Sequence, residues 1–219
     1  MIDYRSFTLK KLNTPEFSHL KLLLFWPFYG LAFLSWERFF SLDYHPVHCA
    51  LDDKIPFCEF FLIAYLFWFV YLIGMIAYLL FTDREGFRKN AWFIIITYSV
   101  TMLIYLIYPT CQNLRPDSFA RDNLFVDVVR FLYVFDTNTN VCPSIHVIGS
   151  LATLFASFHD ARFKKPVWQI CLFIPGCVLI CLSTVFLKQH SVIDIFAALP
   201  LSLVAYWLVY HTKLFDKRV

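Results

Sequence analysis

Long apolar stretches separated by short polar segments dominate the pattern of this chain. A helix needs about twenty mainly apolar residues to cross the hydrocarbon core of a bilayer. Six segments approach that length, and the fourth is the shortest of them. We therefore predict an all-α integral membrane protein with six transmembrane helices, folded as a single domain over residues 1–219. The predicted spans are residues 20–36, 57–81, 91–108, 144–158, 167–187 and 192–210.

The connection between the third and fourth spans, residues 109–143, carries a pattern of its own. Within it, the apolar residues of segment 122–135 recur at helical spacing. Asp127 and Arg130 would be costly inside hydrocarbon, so a helix on the membrane surface is favoured over a re-entrant segment. The pattern predicts an amphipathic outer helix between spans three and four.

The composition supports a membrane location. Hydrophobic residues make up 59% of the chain and charged residues 16%, and the mean hydropathy is +0.61. A soluble domain is usually about half apolar and a quarter charged. The net charge of +3 is small. We expect membrane lipids as partners, and no nucleic acid.

Lysine and arginine are unevenly divided between the two sides of the predicted bundle. Cytoplasmic loops close to spans are enriched in these residues. The two termini, the loop around residues 84–89 and the loop around residues 162–165 carry thirteen, and the opposite side carries six. We therefore predict cytoplasmic termini and an external position for residues 109–143. The membrane that we expect is the plasma membrane.

Three polar elements fall at the outer ends of the predicted spans. The first runs from Tyr108 to Arg115, the second comprises residues 142–146, and the third comprises residues 183–194. Because the orientation was derived from lysine and arginine alone, their common side is an independent observation. These elements are the candidates for chemistry.

His190 and Asp194 are four residues apart, so on a helix they share one face and can form a hydrogen bond. A carboxylate that holds one imidazole nitrogen fixes the tautomer and leaves the other nitrogen as a base or nucleophile. An Asp at the start of a span is costly unless it is paired. The alternative interpretation is an ion pair that caps the sixth span.

His146 follows Pro143 and Ser144 where the fourth span begins. Proline suits a first helical turn, and the unpaired backbone N–H groups there favour an anion. Ser144 adds a hydroxyl donor, and His146 can give a proton to a leaving oxygen. Arg115 offers a planar donor group for phosphate. The alternatives are a simple helix cap with an interfacial His, and a surface Arg.

Together, two imidazoles, an Asp, an Arg and a helix start that favours anions describe a site for phosphoryl transfer, which needs charge neutralisation and in-line positioning. One His would attack phosphorus and the other would protonate the leaving alcohol. The spacing of Cys and His indicates no metal site, and we expect neither a metal nor a cofactor.

The motifs Pro143-Ser144-x-His146 and Ser183-x6-His190-x3-Asp194, with Arg115-Pro116, resemble those of the type 2 phosphatidic acid phosphatase superfamily. Six spans with the motifs on the outer face is also that family's layout. The resemblance implies that His190 is the nucleophile, Asp194 its partner and His146 the general acid. It also places Ser144, Arg115 and Ser183 at the phosphate.

Two positions depart from the family's motifs. Tyr108 stands where the first motif has Lys, and Thr184 stands where the third motif has Arg. Lys188 is a candidate for supplying one missing charge. The Tyr-Pro-Thr start, the Pro-Ser-Ile-His form and segment 52–57 resemble the branch close to inositol-phosphorylceramide synthase.

The leading hypothesis is a metal-independent lipid phosphate phosphatase that acts on a phosphomonoester or diphosphate lipid. The first alternative is a phosphotransferase that moves a phospho-head-group between lipids. The second is a noncatalytic membrane protein, such as a transporter. Transporters often carry charges at the membrane midplane, whereas the ionisable residues here lie at span ends.

Overall fold

The computed structural model describes residues 3–39 and 43–215, with side chains described for residues 3–35 and 43–215. The fold is mostly helical, as predicted. The helices are α1 (Phe25–Phe39), α2 (Leu62–Thr82), α3 (Arg84–Ile107), α4 (Leu124–Phe135), α5 (Ile145–His159), the single turn α6 (Pro166–Trp168), α7 (Ile174–Phe186) and α8 (Val192–Tyr206).

Shorter turns complete these helices. A π-helical turn, Gln169–Phe173, joins α6 to α7, and a second one, Trp207–His211, continues α8. The 3-10 turns are Leu9–Asn13, Ser18–Leu24 and Glu59–Phe61, the last two running directly into α1 and α2.

Four helical segments of the described chain are long and apolar enough to cross a membrane. They are Glu59–Thr82, Arg84–Ile107, Pro166–Phe186 and Val192–His211. They correspond to the second, third, fifth and sixth predicted spans. The first predicted span coincides with α1 and its preceding turn, and the fourth with α5, a shorter apolar helix. Six crossings and their orientation stay predictions, and Lys217 and Arg218 of the charge count lie outside the described residues.

Helix α5 lies at the centre of the bundle, where it packs against α2, α3, α7 and α8. Small residues line much of it, and most of its side chains are buried. A Cβ atom on Gly149 would lie 2.9 Å from the Tyr98 hydroxyl and 3.0 Å from Trp68 Nε1. Only a glycine at this position lets Tyr98 and Trp68 approach the α5 backbone so closely.

The loops at the motif end of the bundle are joined by backbone hydrogen bonds. The strand β1 (His45–Pro46) pairs in parallel with β2 (Thr110–Cys111). The Thr110 hydroxyl accepts hydrogen bonds from the N–H groups of Val141, at 3.2 Å, and Cys142, at 3.1 Å. These bonds bring the first polar element against the second.

Helix α4 covers nearly the residues predicted for the amphipathic outer helix. Its N-cap is Asn123, whose side chain accepts from the N–H of Val126 at 3.1 Å. Val126 and Val129 are buried, whereas a second set of large apolar side chains is exposed: Leu124, Phe131, Val134 and Phe135. The position of α4 on a membrane surface stays a prediction.

Candidate active site

The turn before α8 carries His190, and the first turn of α8 carries Asp194. Ser191 is the N-cap of this helix, and Asp194 is the third residue of a capping box with it. Asp194 Oδ2 lies 3.0 Å from His190 Nδ1 and accepts the Ser191 N–H at 3.0 Å. Because a carboxylate only accepts, Nδ1 carries the proton and Nε2 keeps its lone pair.

His146 lies opposite His190, in the first turn of α5. The centroids of the two imidazole rings are 5.6 Å apart. The His146 ring also contacts two aromatic rings of α2, with centroid distances of 4.7 Å to Tyr65 and 4.6 Å to Trp68. His146 is buried, and its Nδ1 atom has no partner among the described residues. The structure therefore brings the two predicted histidines and Asp194 together.

Ser144 is the N-cap of α5 and is fully buried. Its N–H donates to the main-chain oxygen of Asp194 at 3.2 Å, so the starts of α5 and α8 are held side by side. Its hydroxyl has no partner among the described side chains and backbone groups. This donor lies two residues before His146, where the backbone of a helix start also favours an anion.

Arg115 is half-buried and its guanidinium bonds to protein groups. Nη1 donates to the Tyr133 carbonyl at 2.9 Å, and Nη2 donates to the Asp136 carbonyl and, at 2.5 Å, to Gln189 Oε1. The guanidinium also lies over the Tyr133 ring, 4.3 Å from its centroid. Burial lowers the pKa of Arg115. Arg115 thus ties the end of α4 to the residue before His190, and its phosphate contact stays a prediction.

Lys188 and Ser183, the other predicted phosphate ligands, also have protein partners. The Lys188 ammonium donates to the carbonyls of Asp52, at 2.8 Å, and Ile55, at 2.5 Å. Burial lowers the pKa of Lys188. The Ser183 hydroxyl is fully buried and donates to the Ile180 carbonyl at 2.6 Å, within its own helix. Their contact with phosphate stays a prediction.

Comparison with protein families identifies the family to which this chain belongs. A family model described as the PAP2 superfamily matches residues 31–208, a range that includes every motif residue discussed above. The chain belongs to the PAP2 superfamily. Comparison with curated proteins gives no match, and comparison with solved structures gives none either. Membership of the PAP2 superfamily supports a phosphatase-type function in general.

The two residues that depart from the PAP2 motifs, Tyr108 and Thr184, make contacts within the protein. Tyr108 is about half exposed and stacks on His45, with ring centroids 4.2 Å apart. The Thr184 hydroxyl donates to the Cys181 carbonyl at 2.8 Å within α7. Neither residue supplies the positive charge that the family motif has at its position.

Sequence reasoning missed a carboxylate beside the histidine pair. Asp136 follows α4, and its Oδ2 accepts from the Tyr65 hydroxyl and, at 3.5 Å, from Gln189 Nε2. The ring of Tyr65 is one of the two aromatic rings that contact His146. Asp136 is 71 residues from Tyr65 in the chain, and no local spacing could have signalled this contact.

The charges around this PAP2 site do not favour a highly charged anion. Three carboxylates contact site residues, those of Asp52, Asp136 and Asp194, whereas the nearby cations are Arg115 and Lys188. Within residues 3–39 and 43–215, no group of three or more His, Cys, Asp or Glu side chains could hold a metal ion.

Proposed function

We propose that this PAP2 member is a membrane-embedded lipid phosphate phosphatase that works without a metal, through a phosphohistidine on His190. One observation carries the proposal. His190 Nδ1 lies 3.0 Å from the Asp194 carboxylate, while the His146 ring faces His190 at 5.6 Å. A nucleophile oriented by a carboxylate and a second imidazole for proton transfer are the parts that such a reaction needs.

The reaction proceeds in two balanced steps. His190 Nε2 attacks phosphorus, the bond from phosphorus to the lipid oxygen breaks, and the His146 imidazolium gives its proton to that oxygen. Water then attacks the phosphohistidine, neutral His146 takes a proton from the water, and the bond from phosphorus to nitrogen breaks. Inorganic phosphate leaves, and both histidines return to their starting states. The Ser144 hydroxyl and the backbone at the start of α5 would hold the phosphoryl oxygens.

An apolar groove beside the site supports a lipid as the substrate. The groove has a volume of about 400 Å³ and lies between α1 with its preceding turn and α2. Trp68 lines it and also contacts the His146 ring. A phosphate held at the histidines and a hydrocarbon chain lying in the groove would therefore both lie beside the Trp68 side chain. With six crossings and external motifs, the substrate would enter sideways from the outer leaflet of the plasma membrane.

The charges of the site favour a second candidate, transfer of a phospho-head-group from one lipid to another. A phosphomonoester carries up to two negative charges at neutral pH and a phosphodiester carries one. Near Asp136 and Asp194, the singly charged diester meets less repulsion. In this reaction the hydroxyl of an acceptor lipid takes the place of water in the second step. That chemistry suits the inositol-phosphorylceramide synthase branch, whose motifs this chain resembles.

The deciding experiment uses purified full-length protein in detergent with EDTA present. Lipid phosphomonoesters, lipid diphosphates and phosphodiesters are offered, each with and without an acceptor lipid alcohol. The proposal expects release of inorganic phosphate without an acceptor. Formation of an acceptor lipid that carries the phospho-head-group, without release of inorganic phosphate, would select the transferase instead. Activity that is lost in EDTA and restored by a divalent ion would overturn the metal-independent mechanism.

Rapid quench with a ³²P-labelled lipid phosphate tests the intermediate. Wild-type protein should trap acid-labile, base-stable label, and folded His190→Ala should trap none and show background turnover. His146→Ala should lose about 10²–10⁴-fold, the usual contribution of general acid–base catalysis. Near wild-type turnover by folded His190→Ala would show that the phosphohistidine mechanism is wrong.

A further inference from the structure

Asp52, in the loop before α2, is buried against the start of α8. Its exposed fraction is 2%. Oδ2 accepts from the Ser191 hydroxyl at 2.6 Å and from the N–H of Cys49 at 2.8 Å, while Oδ1 accepts from the N–H of Val192 at 2.8 Å. Two of these three donors belong to the residues that directly follow His190. The Asp52 carboxylate therefore holds the two residues that follow His190, at the start of α8.

Lys188, two residues before His190, contacts the same loop that carries Asp52. Its ammonium donates to the carbonyls of Asp52 and Ile55. The Lys188 backbone is left-handed, with φ of 54°, a conformation that is uncommon for residues other than glycine and persists only where the surroundings hold it. The same short loop thus binds the chain on both sides of His190.

We propose that Asp52 is a positioning residue for His190. Together with Lys188 it forms a clasp, which we define as the contacts of residues 52 and 55 with residues 188, 191 and 192. The inference rests on the proposed role of His190 as the nucleophile. His190 lies in a turn between two helices, where the chain itself fixes an imidazole less firmly than a helix interior does. A misplacement of about 1 Å can cost about 10²-fold in rate.

A carboxylate suits this role better than an amide. Burial opposes ionisation of Asp52, yet the hydrogen bonds from Ser191, Val192 and Cys49 outweigh it and hold the pKa of Asp52 below its usual value. The negative charge also faces the positive N-terminal end of α8. An Asn has only one accepting oxygen, so it cannot serve donors on both sides of the group.

The neighbouring Asp53 provides a matched control. Asp53 is exposed and pairs with His48 at 2.8 Å. In the full-length protein, Asp52→Asn should lower kcat about 10- to 100-fold with KM within about twofold, whereas Asp53→Asn should change neither. The split between kcat and KM separates a misplaced nucleophile from a damaged substrate site. Asp52→Glu, which keeps the charge, should recover part of the lost kcat.

Hydrogen exchange of the peptide covering residues 188–194 tests the clasp without any substrate. Exchange should be faster in Asp52→Asn and unchanged in Asp53→Asn. If the wild-type protein turns over no phospholipid, the proposed function fails, and the exchange rates alone still decide whether the clasp holds. Wild-type kcat together with wild-type exchange in Asp52→Asn overturns the proposal.

A second variant covers the case in which Asp52→Asn does not fold. Ser191→Ala removes the hydrogen bond to Asp52 and the cap bond that Ser191 Oγ accepts from the Ile193 N–H, and it leaves the Asp52 carboxylate and its other two contacts in place. It should lower kcat with KM nearly unchanged and raise exchange of the same peptide, and Ser191→Thr should restore both. A Ser191→Ala protein with wild-type kcat and exchange overturns the clasp.

Discussion

At the scale of single residues, Asp194 Oδ2 has two partners, the His190 imidazole and the Ser191 N–H. Asp194→Asn should keep the fold, since an Asn side chain can still accept at a helix start. The amide nitrogen no longer fixes the proton on His190 Nδ1, so kcat should fall by about 10³–10⁴. Steady-state kinetics with Asp122→Asn as the control tests this, because Asp122 is an exposed carboxylate. Retention of a third of the wild-type kcat would contradict the role of Asp194.

Asp136 provides a second test at this scale, directed at charge. Asp136→Asn removes a negative charge next to Tyr65 while keeping an oxygen that can accept the Tyr65 hydroxyl. KM for a lipid phosphomonoester should fall about threefold to tenfold, as expected from about 1 kcal/mol of relieved repulsion. KM for a phosphodiester should fall less. The exposed Asp117 offers the control variant Asp117→Asn. Equal effects on both substrates would exclude Asp136 as a determinant of specificity.

One local contact of the site was predictable from the sequence, and its distant contacts were not. The predicted hydrogen bond between His190 and Asp194 is present, although His190 lies in the turn before α8 and not on the helix itself. The contact between Asp52 and Ser191 joins residues 139 apart, and no periodicity connects a loop to a turn over that distance. Arg115 was recognised as a possible anion ligand, but its three carbonyl-type partners depend on how the loops fold back over the site.

At the scale of elements, α5 depends on close packing by α2 and α3. Gly149→Ala would place a methyl group within 3.0 Å of Tyr98 and Trp68, and overpacking of this kind costs about 1–3 kcal/mol. Trp68, whose ring contacts His146, would also have to move. We expect a lower melting temperature and reduced kcat, measured on protein in the same detergent. Gly74→Ala on α2 is the control, because a Cβ there meets nothing within 4 Å. Equal behaviour of the two variants would contradict this account of α5.

Helix α5 is too short to cross a bilayer core without local thinning, although its bounds were predicted closely. Fifteen residues of α-helix extend about 22 Å, less than the ~30 Å of a bilayer core. A central helix contacts protein along most of its length, so its sequence need not match the bilayer. The predicted segment 144–158 nevertheless agrees with α5 to within one residue. For α4, helical periodicity gave nearly the observed bounds, because its two faces differ strongly.

At the scale of the whole molecule, the charge asymmetry predicts a fixed orientation. In a background without the seven native cysteines, Glu85→Cys should be cytoplasmic and Ser118→Cys external; both positions are exposed. An impermeant thiol reagent should label position 118 in intact cells, and position 85 only after permeabilisation. The lysine and arginine excess supplies the physical reason. Labelling of position 85 but not 118 in intact cells would show that the predicted orientation is wrong.

The hydrogen bond from the Ser144 N–H to the Asp194 carbonyl, and those from Ser191 and Val192 to Asp52, have a consequence for biogenesis. They join the last long helix of the described chain to segments synthesised well before it. Until α8 has been synthesised and packed, His190 and Asp194 are not in place opposite His146. The proposed activity would thus arise only on completion of assembly, so a nascent or misinserted chain would leave lipid phosphates around it intact.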